Sequence, residues 1–173
     1  MRVRAGMMFR ALMRAGLVLG CTGAALFLAG PGHAAVQCKE DQAIFDTASG
    51  GARFTIEIAD TEAERAQGLM NRPAMRKSAG MLFIYPKPQP VAFWMKNTLI
   101  PLDMIFMDAQ GRVVSVAAQA RPHDETPIPG GSAIQYVLEI NGGLAQALGI
   151  APGVSMAHPR IAPETAALPC AAP

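Results

Sequence analysis

Apolar and polar residues alternate strictly over Phe54, Ile56 and Ile58, with Thr55 and Glu57 between them, the period of a strand with one buried face. The period then changes. Asp60 and Thr61 offer a cap, Glu64 stands three residues after Thr61 as in a capping box, and Ala63, Ala66 and Gln67 favour a helix that Gly68 ends. After a turn at Asn71-Arg72-Pro73, the run Met81-Leu82-Phe83-Ile84-Tyr85 predicts a buried strand that passes into a stiff loop at Pro86, Pro88 and Pro90. Val91 to Lys96 resumes a strand. Leu102 to Met107 and Arg112 to Ala118 flank Asp108-Ala109-Gln110-Gly111 as a hairpin. The polar stretch Gln119 to Ser132 carries three prolines and Gly130-Gly131, and predicts a long loop, either a mobile lid or an exposed crossover. Ala133 to Ile140 is a strand, Leu144 to Leu148 a single helical turn, and Val154 to Met156 a last strand.

Strands at this spacing, joined by Gly and Pro turns, predict a mainly β, β-rich α+β domain. It would be a compact sandwich or a partly open barrel of about seven to eight strands with one or two short helices. There is no internal repeat.

The N-terminal segment has a different pattern. Arg2, Arg4, Arg10 and Arg14 precede an apolar stretch from Ala15 to Ala29, which Gly16, Gly20, Thr22 and Gly23 interrupt and Gly30-Pro31 ends. It is too short and broken for a membrane span, and Gly32-His33-Ala34 supplies small residues for cleavage after Ala34. Residues 1–34 are thus expected to be a cleavable signal peptide, with the mature chain periplasmic or secreted. A retained anchor and lipidation at Cys21 are the alternatives; apolar sequence through Leu26, Phe27 and Leu28 argues against the second.

Removing the leader changes the charge. Four of the 15 Lys and Arg lie in it and none of the 13 Asp and Glu, leaving 11 against 13, or −2. No basic stripe for nucleic acid and no polybasic patch for a membrane surface remains, and no membrane insertion is expected after cleavage. Of three cysteines, Cys38 and Cys170 stay in the mature chain, where an oxidising compartment would let them pair and close a long loop. Two unpaired thiols are the alternative.

Catalytic and cofactor signatures are mostly missing. The mature chain has two histidines, His123 and His158, with no helical zinc pair, no nucleophile elbow around Ser132 and no phosphate-cradling glycine loop; no cofactor and no metal site is expected. Polar residues embedded in apolar sequence stand out instead: Arg72, Lys96, Asn97, Asp103 and Glu139. A buried charge needs a partner, and Lys96 with Asp103 or Glu139 is the natural pairing. One reading is a structural ion pair. Another is the polar floor of a ligand pocket walled by Met70, Phe93, Trp94 and Met95, with Asn97 and Thr98 at its rim. A third makes Asp103 and Glu139 the acid and base of a hydrolase acting on an envelope metabolite. Met70, Met75, Met81, Met95, Met104, Met107 and Met156 raise a fourth, a soft Cu(I) site, against ordinary core packing.

Arg65-Ala66-Gln67-Gly68-Leu69-Met70-Asn71-Arg72, Gly80-Met81-Leu82-Phe83, Phe93-Trp94-Met95-Lys96-Asn97-Thr98, Ile100-Pro101-Leu102-Asp103 and Val137-Leu138-Glu139 together resemble the domain-of-unknown-function family 192 over residues 52–157. The resemblance implies a small, mainly β domain, often behind a secretory leader, with no established activity. It departs from the family at Gly153-Val154-Ser155-Met156, where an acidic residue usually follows the glycine. Residues 35–51 and the Pro- and Ala-rich 158–173 then become an N-terminal extension and a C-terminal tail. The resulting expectation is a binding or accessory module, not firmly an enzyme, whose partner is a small molecule or an envelope protein. Its site residues would be Met70, Arg72, Trp94, Met95, Lys96, Asn97, Asp103 and Glu139.

Overall fold

The computed structural model describes residues 36–171. The leader, its cleavage point and Cys21 lie outside them. Strand β1 (Gln42–Asp46) turns into β2 (Ala52–Ala59), whose alternating burial matches its alternating sequence. Helix α1 (Glu62–Gln67) starts on the expected capping box: Thr61 Oγ1 accepts from Glu64 N at 3.2 Å, and Glu64 Oε2 accepts from Thr61 N at 3.0 Å. Strand β3 (Ala79–Phe93), β4 (Leu102–Met107), β5 (Val113–Ala120) and β6 (Ile128–Asn141) follow, then α2 (Leu144–Ala147) and β7 (Ser155–Ala157).

All seven strands join one sheet in the order β5-β4-β6-β3-β2-β1-β7, parallel at β2/β3 and antiparallel at the other pairs. Its two edges approach each other. Val113 N donates to Val154 O at 2.8 Å, and Met156 N donates to Gly111 O at 2.9 Å, so the sheet curls into a half-barrel rather than forming a two-sheet sandwich. The described residues adopt the expected β-rich fold, with seven strands and two short helices among them.

The central strands are buried on both faces, which is why they read as unbroken apolar runs. Leu82, Ile105, Leu138 and Ile140 join Phe45, Phe54 and Met156 in one core, whereas Met81, Phe83, Met104, Phe106 and Val137 face a second core with Leu69 and Met95. The second core is what positions the site.

Two segments differ from their sequence reading. Pro86, Pro88 and Pro90 do not end a strand, because β3 stays extended through them. Proline supplies a compatible φ but no ladder donor, and the β3/β6 register shifts between Ile84 and Gln89 and again before Ala92. The Gln119 to Ser132 loop shortens to residues 121–127, because β5 runs on to Ala120 and β6 begins at Ile128. Gly130 lies within β6 against the Phe106 ring; a Cβ there would stand 2.1 Å from Phe106 Cδ1. The glycine pair that resembles loop punctuation thus serves close packing.

The termini are tied to the barrel. Cys38 and Cys170 form a disulfide across 132 residues, Val36 bridges Cys170, and Ile161 and Leu168 are buried. Tyr136 donates its hydroxyl to Arg160 O at 2.9 Å. His158, also buried, places Nε2 3.0 Å from Glu40 O while Nδ1 accepts from Arg160 N; burial lowers its pKa. Among the described residues, no helix is long and apolar enough to cross a membrane.

Candidate functional site

Strand alternation decides where the two embedded carboxyls go. Glu139 pairs with Met81 on one side and Met104 on the other, whereas Asp103 pairs with Ile140. Residues paired across strands share a face, so Asp103 and Glu139 leave the sheet on opposite faces.

Asp103 is fully buried and bound to backbone. Its Oδ1 accepts from Gln119 N at 2.8 Å and Gly143 N at 2.9 Å, and its Oδ2 accepts from Ala145 N at 2.7 Å. It fastens the end of β5 and the first turn of α2 to β4. Such a carboxylate is occupied by structure, and it cannot pair with Glu139 as acid and base.

Glu139 is in the reverse position. It is 4% exposed, among Met81, Phe83 and Met104, with no hydrogen bond or ion pair from a described group. Burial raises its pKa to about 8, so the carboxyl is mainly uncharged at neutral pH. It is not sealed in. Glu139 lines a small open cleft of about 100 Å³, beside Phe83, Tyr85, Phe93 and Trp94.

The cleft's other wall comes from α1 and the turn after it, Arg65 to Met70. Gly68 turns the chain at φ 49°, with space for a Cβ limited by Phe83 at 3.2 Å. Arg65 lies 5.1 Å over the Tyr85 ring and donates to Ile84 O at 2.9 Å and to Asp60 O, which stitches α1 to β3. Burial raises the Tyr85 pKa; the Arg65 charge works against that shift and Glu139 with it. Phe83, Phe93 and Phe106 form an edge-to-face series with centroids 5.0 and 5.8 Å apart, fixing the aromatic wall.

Three connections are laced together beside the cleft. Asn71 N donates to Asn97 O at 2.8 Å, Met95 N to Asp124 O at 2.8 Å, and His123 N to Thr98 O at 3.2 Å. Asn71, Asn97 and His123 all have left-handed backbone, with φ of 61°, 52° and 63°. Asparagine and histidine enter that region more readily than most residues, which accounts for all three.

The expected site residues therefore divide. Met70, Trp94 and Glu139 meet in the cleft, and Thr98 lines it. Asn97 is exposed beside Met70, with Nδ2 4.0 Å from Met70 Sδ. Arg72 is held by Glu57 through two bonds of 2.5 and 2.6 Å, which lower the Glu57 pKa. Met95 is wholly buried behind the wall. Lys96 pairs with neither Asp103 nor Glu139; its ammonium lies 5.2 Å from the Trp94 ring centroid, on a neighbour in sequence instead of a strand partner. The methionines are shared between cores, Met107 and Met156 in one and Met81, Met95 and Met104 in the other, as expected of packing residues. Arg65, Phe83 and Tyr85 belong to the cleft although the sequence alone did not single them out. Phe83 and Tyr85 do share a period-2 face, but only the β3/β6 register places that face beside Glu139.

Fold and cleft together define a small half-barrel domain with a cleft lined by aromatic rings and by a buried carboxyl whose pKa burial raises. The family model DUF192, described as an "Uncharacterized ACR", matches residues 44–158, and the chain belongs to this family. The match takes in part of β1, ahead of residue 52. A protein of unknown function from Novosphingobium aromaticivorans is 46% identical, with a TM-score of 0.65, over 66% of this chain and 82% of its own. A candidate transcription regulator from Sinorhizobium meliloti 1021 is 38% identical, also with a TM-score of 0.65, over 71% and 96%. No curated protein matches.

Proposed function

We propose that the mature chain is an extracytoplasmic module that binds a small molecule in the cleft between α1 and β3. The observation that carries this reading is Glu139, a carboxyl with no hydrogen-bond or ion-pair partner among the described residues, lining a cleft beside aromatic rings. Burying such a group without a partner costs stability, and polar groups that converge beside aromatic rings in a concavity are a common composition of a ligand site. The leader pattern and the Cys38–Cys170 disulfide support an exported location. The carboxyl arrangement favours binding over hydrolysis, since Asp103 is spent on backbone amides.

The single tryptophan of the chain, Trp94, lines the cleft, so its emission reports occupancy. Titration with a panel of sugars, organic acids, peptides and metal ions should give a saturable change for at least one class. The change should vanish in Ala66→Phe, which places a ring at the exposed cleft wall. No saturable response, or an equal response in that variant, contradicts the cleft as the site.

A further inference from the structure

We propose, resting on the cleft reading above, that the ligand is a neutral carbohydrate ring, free or at the end of a glycan, whose hydroxyls bond Glu139 and whose C–H face packs on Trp94. Three observations converge on this class. The first is how Glu139 meets the cleft. The residue is 4% exposed and has no hydrogen-bond partner among the described residues, yet no fully buried side-chain nitrogen or oxygen among them lacks one. The unpartnered Glu139 oxygens therefore reach the open space of the cleft. A hydroxyl complements them in either charge state: it donates to a carboxylate, and it both donates to and accepts from a carboxylic acid. A charged ligand would fit one state alone.

The second observation is the polarity of the lining, whose accessible surface is mainly polar. Gln67 and Tyr85 line the cleft with no side-chain hydrogen bond to a described residue, and Thr98 Oγ1, which donates to Lys96 O at 3.2 Å, keeps its acceptor capacity. Donors and acceptors stand together, the complement of a ligand in which each hydroxyl is both.

The third is the disposition of the rings. Trp94 is 48% exposed although Lys96 stands 5.2 Å over its ring, and it lines both the cleft and an adjoining apolar depression formed with Ala92, Phe93 and Pro127. Phe83 and Phe93 meet edge to face at 83°, so they make no parallel slot for a flat base. One exposed indole beside polar groups matches a pyranose, which has an apolar C–H face and a polar rim. At about 100 Å³, below the roughly 300 Å³ of drug-sized sites, the cleft seats a single ring and leaves its outer face to water or to the rest of a glycan.

The experiment presents the mature protein to a printed array of neutral mono- and oligosaccharides. Responding sugars are then titrated by Trp94 emission and calorimetry, with benzoate, benzylammonium and adenosine as comparators. At least one sugar should bind. Binding of its methyl glycoside assigns a free ring, and binding of the oligosaccharide alone assigns a glycan end; both support the proposal. Glu139→Gln keeps a donor and an acceptor and should bind within about tenfold of wild type, whereas Glu139→Leu and Trp94→Ala, read by calorimetry, should each weaken binding at least about tenfold. Trp94 is exposed, so its variant carries the test if Glu139→Leu does not fold. Silence across the array overturns the inference, as does undiminished binding in the folded variants. A loss in Glu139→Gln as large as in Glu139→Leu also overturns it, because the carboxyl charge would then be what is recognised. If a comparator binds where no sugar does, and Ala66→Phe abolishes its response, the carbohydrate assignment falls while the cleft reading stands; silence from sugars and comparators alike counts against both.

Discussion

Asp103 faces the side of Ile140 and Glu139 the side of Met104, so two carboxyls on neighbouring strands, one pairing position apart, have opposite surroundings. One accepts three backbone N–H bonds; the other accepts none from the described protein. The first is architecture and the second is available for chemistry.

Removing the Asp103 acceptor strands three backbone donors at the start of α2 and the end of β5. Asp103→Ala is expected to cost about 2–5 kcal/mol, and Asp103→Asn less, since one acceptor oxygen survives. Urea midpoints of the two variants measure this, and a loss below about 1 kcal/mol in Asp103→Ala would show that those amides find other partners.

Glu139 links stability to pH in the direction opposite to a salt-bridged acid. Its pKa stands at about 8 in the folded state against 4.5 without the fold, so between these values the folded chain holds the proton more tightly. Stability contributed by the neutral group is complete below pH 4.5 and is lost as pH rises through 8. The steepest loss is about 1.4 kcal/mol per pH unit. His158, with its lowered pKa, acts the other way, losing stability as pH falls through its ordinary value of 6.5. Comparison with Glu139→Gln isolates the acid: the variant should gain on the wild type by several kcal/mol between pH 5 and pH 9 in denaturant titrations. A constant gap would contradict a buried, shifted Glu139.

Opening the Cys38–Cys170 disulfide should lower stability by about 2–5 kcal/mol, within the range for long loops. The loss should appear first in the tail, as faster hydrogen exchange at Ala167 and Ala171, whose amides donate to Gln110 O and Val36 O. Exchange in β3 and β6 should change little while the protein stays folded. Uniform acceleration across the sheet would show that the disulfide supports the whole barrel.

Gly130→Ala puts a methyl into Phe106 and is expected to cost about 1–3 kcal/mol as an overpacked contact. Since Phe106 packs edge-on against Phe93, and Phe93 against Phe83, the displacement should also reach the cleft wall. Trp94 emission of the folded variant checks this. An unchanged spectrum with unchanged stability would mean that the ring moves aside freely.

Local signals carried much of the fold. Alternation at Phe54 to Ile58, the Thr61/Glu64 capping box and the hairpin at Asp108 to Gly111 were each legible, because each is set by neighbours in sequence. Gly130-Gly131 and the prolines of β3 misled for a shared reason: their residue types mark turns in isolation, and only a partner, Phe106 or β6, shows that extended chain suits them better. The short run Ala43-Ile44-Phe45 in β1 gave too little periodicity to expose a strand. At the site, Trp94, Met70 and Glu139 could be named from polar and apolar residues standing together. Their assembly could not, because the face of each side chain depends on register between distant strands. The same dependence separates Asp103 from Glu139 and leaves Lys96 against Trp94.

The central claim is that a buried carboxyl, without a partner among the described residues and with its pKa raised by burial, lines the cleft. Carboxyl-carbon NMR of Glu139, assigned by loss of its signal in Glu139→Gln, tests it most directly. The account predicts a titration midpoint near 8 in the free protein. A midpoint at the ordinary value of 4.5 would contradict it, because the carboxyl would then be charged and solvated at neutral pH.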